Sequence, residues 1–219
     1  MNSNPKELKN VEIFFDGYSS DFDNIYDDKS NNFIQRLINK YLRFSMFNRY
    51  QLTINRIKED INSKNILDIG CGTGRYCNKL AQLDKNILGI DVAETMIMNS
   101  KELNKSFKNN CKFETIDYLN FSKNNNKVFD YAILMGFFDY IEEPIKIYKS
   151  LKKDSKISLA SFPKKFHILT PQRYIKYNYR KCPIFFYTKN QIEKLMKDID
   201  AKNYQIVDND REFFVISEF

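Results

Sequence analysis

"NILDIGCGTGRY", residues Asn65 to Tyr76, decides how the rest of the chain is read. An apolar, strand-forming run reaches an acid, Asp68, and then meets three glycines within five residues, Gly70, Gly72 and Gly74. A strand that ends in glycines before a helix belongs at the carboxyl edge of a parallel sheet, where ligands bind in such folds. Phosphate loops and dinucleotide fingerprints also use bare backbone there, but neither spacing is present. No GxxxxGK followed by Ser or Thr occurs, and the third glycine of a GxGxxG run would stand at position 75, which is Arg75. Asp68 then sets the sign of the ligand. A carboxylate repels a pyrophosphate and attracts an ammonium or another cationic centre.

Outward from this stretch, short apolar runs recur at 86–91, 111–116, 129–135, 156–161, 203–208 and 212–218, with helical patterns near 74–83, 93–104, 141–152 and 188–199. With a strand at 65–69, the alternation predicts crossover units and a mainly parallel sheet. The near-continuous hydrophobicity of "YAILM" and "NILDI" predicts strands buried on both faces. Turn chemistry around Asp208 to Arg211 predicts that the last two strands form an antiparallel hairpin. Thr188 suits the N-cap of the final helix. Residues 164–187 escape the alternation. Residues 1–62 read as a helical cap segment, with Phe33, Leu37, Ile38, Tyr41 and Leu42, and then Phe47, Leu52 and Ile57, at helical spacing. Residues 63–219 read as the core, with 164–187 as a substrate-side insertion.

At 219 residues with 42% hydrophobic and 29% charged residues, the chain suits one sizeable globular domain. The polar start and the lack of an 18-residue apolar run predict a cytoplasmic protein with no membrane partner. Cys71, Cys77, Cys111 and Cys182 lie at no CxxC spacing and His167 is the only histidine, so neither zinc nor a disulfide framework is expected. The net charge of +7 is read as spread through the chain among 28 acids, a balance that speaks to non-specific association and not to fold.

Two further acids extend the row begun by Asp68. Asp91 ends the second strand about where a ribose-binding acid is expected, and Asp117 follows the third, placed to accept from an exocyclic amine. The ligand so described has a positive group, a sugar and a base.

In this order the motifs resemble those of the class I S-adenosylmethionine-dependent methyltransferases. "ILDIGCGTG" is similar to the family's first motif, "LGIDVAETMI" to its second, "FETIDYL" to its third and "FDYAILMGFFDYI" to its fourth, covering about residues 60–161. The resemblance implies a Rossmann-like, doubly wound α/β fold whose seven-stranded, mainly parallel sheet has an antiparallel last strand. It implies S-adenosyl-L-methionine as cofactor. Asp68, Gly70, Cys71 and Gly72 would line the methionine part, with Gly74 of the same loop also binding the cofactor, Asp91 and Val92 the ribose site, Asp117 and Tyr118 the adenine site with Met96 beside them, and Met135 and Gly136 the floor. The segments "FFDGYSSDFDNIY" and "RFSMFNRY" resemble the caps of magnesium-protoporphyrin and glycine N-methyltransferase types. On that likeness Tyr26 and Arg49 would close over the cofactor, Arg49 gripping its carboxylate.

Methyl transfer from a sulfonium needs alignment above all, and effective molarities of roughly 10^5 to 10^8 M measure how much alignment alone supplies. A hydroxyl or ammonium acceptor also needs a base. His167 is the suitable base by type, and Asp139 and Tyr140, just after the fourth strand, are the other candidates. Arg173, Tyr174, Tyr177 and Arg180 set cations among aromatic faces, which suits a planar or anionic small molecule. An RNA methyltransferase and a non-catalytic, cofactor-binding partner subunit are the alternatives. Nucleic acid is the less favoured acceptor: the loop after the fourth strand is "GFFD", without the Pro-Pro pair of adenine-N6 enzymes, and Cys182-Pro183 reverses the Pro-Cys order of cytosine-C5 enzymes.

Overall fold

A computed structural model describes residues 9–13, 33–180 and 182–219, the side chains of 33–43 excepted. Tyr26 lies outside the described residues. Helix α1 (Phe33–Glu59) precedes β1 (Asn65–Ile69), α2 (Arg75–Ala81), β2 (Asn86–Asp91), α3 (Glu94–Leu103) and β3 (Cys111–Thr115). There follow α4 (Tyr118–Asn124), β4 (Phe129–Leu134), α5 (Pro144–Asp154), β5 (Ser155–Pro163), α6 (Thr170–Tyr179), α7 (Lys189–Asp198), β6 (Asn203–Asn209) and β7 (Glu212–Glu218).

The strands form one seven-stranded sheet in the order β3-β2-β1-β4-β5-β7-β6. Only β7 runs antiparallel, paired to β5 on one side and β6 on the other. Alternation along each strand divides the core into two layers. Leu67, Ala132, Ala160 and Val215 face α4, α5 and α7, whereas Ile66, Ile133, Leu159 and Phe214 face α1, α2 and α3. Fully burying one such Leu or Ile contributes about 1.5–3 kcal/mol, so the centre of the sheet is a rigid platform. A stack of Phe138 on Phe162, with ring centroids 4.3 Å apart, fixes the loop after β4 to β5.

Local chemistry explains the ends of the elements. Thr188 and Gln191 form a reciprocal capping box at the start of α7. Asp210 takes a positive φ of 57° in the two-residue turn that pairs Asn209 with Glu212. Two helices, α4 and α6, interrupt stretches without a helical reading in the sequence. The seven residues of α4 are too few for a clear period, and α6 buries none of its ten residues, so it has no inward apolar stripe to read.

Candidate functional site

Strand order reverses between β1 and β4, which opens a crevice at the carboxyl ends of those strands. The glycine loop lines it. Gly70, Gly72 and Gly74 have φ of 70°, 54° and 76°, a region where a Cβ is penalised. The N–H groups of Gly70 and Cys71 donate to the Ile90 carbonyl at 2.8 and 3.1 Å, and the Gly72 N–H donates to Asp91 Oδ2 at 2.9 Å. A Cβ at Gly70 would meet the Phe137 ring at 3.0 Å, while one at Gly72 would meet nothing within 4 Å. The loop is therefore drawn onto β2 and leaves open space over Gly72.

Gly74 is different, because a Cβ there would stand 2.9 Å from both Phe113 and Asn104. Backbone handedness costs about 1–2 kcal/mol and overpacking about 1–3 kcal/mol. Gly74→Ala is therefore expected to destabilise the protein by about 2–4 kcal/mol, read as a lowered Tm in thermal unfolding; an unchanged Tm would refute the packing described.

Because β3, β2 and β1 are neighbours, Asp117, Asp91 and Asp68 form a row along the carboxyl edge. Two inter-strand steps span about 9–10 Å. Asp68 is buried, and its Oδ2 accepts from the Cys77 thiol at 3.2 Å. Burial raises its pKa to about 7; the Cys77 hydrogen bond opposes the shift and the Asp91 charge adds to it. Asp91 also accepts the Ala93 N–H through Oδ1 at 3.0 Å, so its two oxygens together order the loop. Asp117 caps α4 by accepting the Asn120 N–H at 3.1 Å.

Of the other cofactor candidates, Cys71 is buried, while Val92 and Met135 are half-buried. Two side chains turn elsewhere. Tyr118 is buried and donates its hydroxyl to Asp154 at 3.0 Å, and Met96 is fully buried, so neither offers a side-chain face to a ligand.

The floor beyond β4 is held by long-range pairs. The Gly136 N–H donates to Ser161 Oγ at 2.8 Å, and Arg49 Nη1 donates to the same oxygen at 3.2 Å and to Glu212 Oε2 at 2.7 Å. A Cβ at Gly136 would lie 3.5 Å from Arg49 Nη2, so this guanidinium roofs the floor. The family likeness has Arg49 gripping a ligand carboxylate, but its Nη1 is engaged by Glu212, drawn there by a buried acid. Glu212 and Ser161 lay outside the sequence reading, since an acid after a turn and a serine in a strand carry no local signal.

Residues 164–187 leave and rejoin the sheet at one place: the Lys165 N–H donates to the Tyr187 carbonyl and the Tyr187 N–H to the Pro163 carbonyl. Helix α6 rises from this base with its inner face on the floor. Arg173 pairs with Asp139 at 2.5 Å, and the hydroxyls of Tyr140 and Tyr177 are 3.3 Å apart. Tyr174 and Arg180 are exposed.

The three candidate bases are all engaged. His167 Nδ1 accepts the Leu169 N–H at 3.2 Å, and its Nε2 faces Asp210 Oδ1 at 3.5 Å, so both ring nitrogens are turned to groups of the protein. Asp139 is ion-paired with Arg173. Burial pushes the Tyr140 phenol well above its usual pKa, so it stays protonated.

A family model described as "Methyltransferase domain" matches residues 61–206. The shikimate dehydrogenase (NADP(+)) of Methanosphaera stadtmanae is 29% identical over 116 residues, 50% of this chain and 41% of that protein. The ubiquinone biosynthesis O-methyltransferase of Hydrogenovibrio crunogenus is 26% identical over 104 residues, 47% of this chain and 43% of that protein. The chain thus spans about two-fifths of the length of these curated relatives. In fold, it is similar to magnesium protoporphyrin IX methyltransferase from Synechocystis PCC 6803 with bound SAH, at a TM-score of 0.74 and 20% identity over 97% of this chain and 98% of that one. The likeness to a dehydrogenase is confined to half the chain, and GxGxG with a buried Asp68 lacks the dinucleotide spacing.

Proposed function

The chain belongs to the methyltransferase-domain family, the class I S-adenosylmethionine-dependent methyltransferases, and from that premise we propose that it methylates a small molecule on an anionic oxygen, a carboxylate being the best fit. The observation that carries this reading is that His167, Asp139 and Tyr140 are each held by another group of the protein, so none stands poised as a general base toward an alcohol or an ammonium. A carboxylate needs no deprotonation.

S-adenosyl-L-methionine supplies a sulfonium methyl, which passes in line to the nucleophilic oxygen while the electron pair of the broken bond stays on sulfur and no proton is released. The chain's part is to bind and align. Asp68 faces the cationic end, Asp91 the ribose and Asp117 the base, and the Gly72 edge leaves room for a close approach. Gly136 and Phe137 bound the space where acceptor and donor meet. Names among the relatives support the same acceptor size, since the ubiquinone and protoporphyrin enzymes are named for small molecules.

The test incubates a metabolite pool with methyl-labelled S-adenosyl-L-methionine and then treats the product with mild alkali. A methyl ester releases its label as volatile methanol, whereas methyl ethers and methylamines keep it. Alkali-labile label, formed by wild type and by His167→Gln at rates within about threefold of each other, is expected. Alkali-stable label, or loss of turnover in His167→Gln, would overturn the proposal.

A further inference from the structure

Residues 155–192 hold eight of the chain's 35 Lys and Arg and none of its 28 Asp and Glu, leaving 27 cations against 28 acids elsewhere. The net charge of +7 is therefore concentrated in one segment and is not spread along the chain. That segment contains β5, the loop to α6, and α6 itself.

The helix is amphipathic in the wrong sense for a surface helix. Arg173 and Tyr177, one turn apart, face inward to Asp139 and Tyr140. At 100° per residue, Ile175 and Tyr179 form the opposite pole, where a helix against water carries polar residues. They are 68% and 89% exposed. The preceding loop adds Phe166 and Ile168, at 81% and 84% exposure, and Lys165 lies over the Phe166 ring. Lys176 flanks the pole and is exposed. Scattered apolar residues on a surface need no explanation, but four in fourteen positions on an acid-free basic segment do.

We propose that the 166–179 face of α6 and its leading loop seats on an anionic lipid surface. Protruding rings and branched alkyl groups beside lysines, here Lys165 and Lys176, are how an interfacial helix buries its apolar side at the headgroup boundary while its cations meet anionic lipids. A helix with no buried residue is a ridge, not a groove, which fits a deformable bilayer better than a folded acidic partner. Among the described residues no helix is long and apolar enough to cross a membrane, so the contact is peripheral. The inner face of the same helix looks onto the floor beyond β4. If the acceptor reading above holds, its substrate would be an amphipathic acid drawn from that surface.

The experiment is co-sedimentation of the full chain with sucrose-loaded vesicles, without methyl donor, so that its outcome is independent of catalysis. Vesicles of phosphatidylcholine with 30% phosphatidylserine are compared with pure phosphatidylcholine at 50 and 500 mM salt. Binding to the anionic vesicles at low salt, at least tenfold weaker at high salt and on the zwitterionic vesicles, is expected. A Phe166→Ser/Ile168→Ser/Ile175→Ser/Tyr179→Ser variant should lose at least tenfold in partitioning with an unchanged Tm, because each side chain is more than half exposed. No binding to anionic vesicles at 50 mM salt, binding unaltered in the variant, or retention by single-stranded RNA without vesicle binding would each overturn the proposal.

Discussion

Asp68→Asn is expected to weaken donor binding about a hundredfold and, at the same time, to stabilise the donor-free protein at pH 8. Both effects follow from one buried carboxylate. Bound to a cationic donor, the charge at Asp68 has a partner, and removing one member of a buried charge pair costs about 2–5 kcal/mol of binding. Without the donor the same charge is buried with only a thiol as donor, and burial raises its pKa from 3.8 to about 7. The folded pKa lies above the unfolded one, so this group's contribution to stability is fully present below pH 3.8 and is lost as pH rises through 7. The shift corresponds to about 4 kcal/mol withheld from the donor-free fold at pH 8. Asparagine keeps an oxygen to accept from Cys77 and never ionises. Its Tm should exceed that of wild type at pH 8, and the gap should narrow toward pH 5. In parallel, wild-type affinity for S-adenosyl-L-methionine should rise about tenfold from pH 6 to pH 8 as Asp68 ionises, while the variant stays flat. Calorimetric titration at both pH values, with thermal melts of the free proteins, separates the two effects. Equal donor affinity in wild type and Asp68→Asn would remove Asp68 from the donor site.

What the sequence made legible lies close together in the chain. Asp68, Gly70 and Gly72 fall in one strand-to-helix turn, and Asp91 and Asp117 each follow an apolar run, so periodicity alone places all of them at strand ends. The order of β3, β2 and β1 brought those ends side by side. Side-chain direction was not legible. The family likeness sets Tyr118 and Met96 beside the adenine, yet both side chains turn inward because the aromatic and thioether surfaces gain more from the core than from a groove. The floor was hidden for another reason. Arg49 and Glu212 are 163 positions apart, and Asn48 and Asn209 are 161 apart, so no local pattern links them. His167 was a base by type alone, and two neighbours, Leu169 and Asp210, occupy its ring nitrogens. Helix α6 has outward apolar residues, a pattern that a search for inward periodicity passes over.

Arg49→Met should be among the most destabilising single changes in the chain, and Glu212→Gln added to it should restore most of the loss. Burial raises the pKa of Glu212, with Arg49 as the main influence pulling it back and Asp139 opposing. Removing Arg49 leaves that carboxylate buried beside a second acid, a defect of about 3–5 kcal/mol. The raised folded pKa sets the sign: the single variant should be least stable at alkaline pH and recover as pH falls and Glu212 takes up a proton. In the double variant no charge is stranded. The amide oxygen introduced by Glu212→Gln can still accept from Asn209, as the carboxylate does, and the remaining Asn48–Asn209 bond ties α1 to the β6–β7 turn. Thermal melts of wild type, both single variants and the double variant form a complete cycle, with an expected coupling of at least about 2 kcal/mol. Donor affinity of the double variant then decides what Arg49 does. If Arg49 serves Glu212, the double variant binds S-adenosyl-L-methionine within about threefold of wild type. If the guanidinium instead grips the donor's carboxylate, stability returns but affinity stays at least thirtyfold weaker. The 2.7 Å pair with Glu212 and the contact over Gly136 favour the first result, in which α1 is pinned to the hairpin so that the loop at Gly136 keeps its shape.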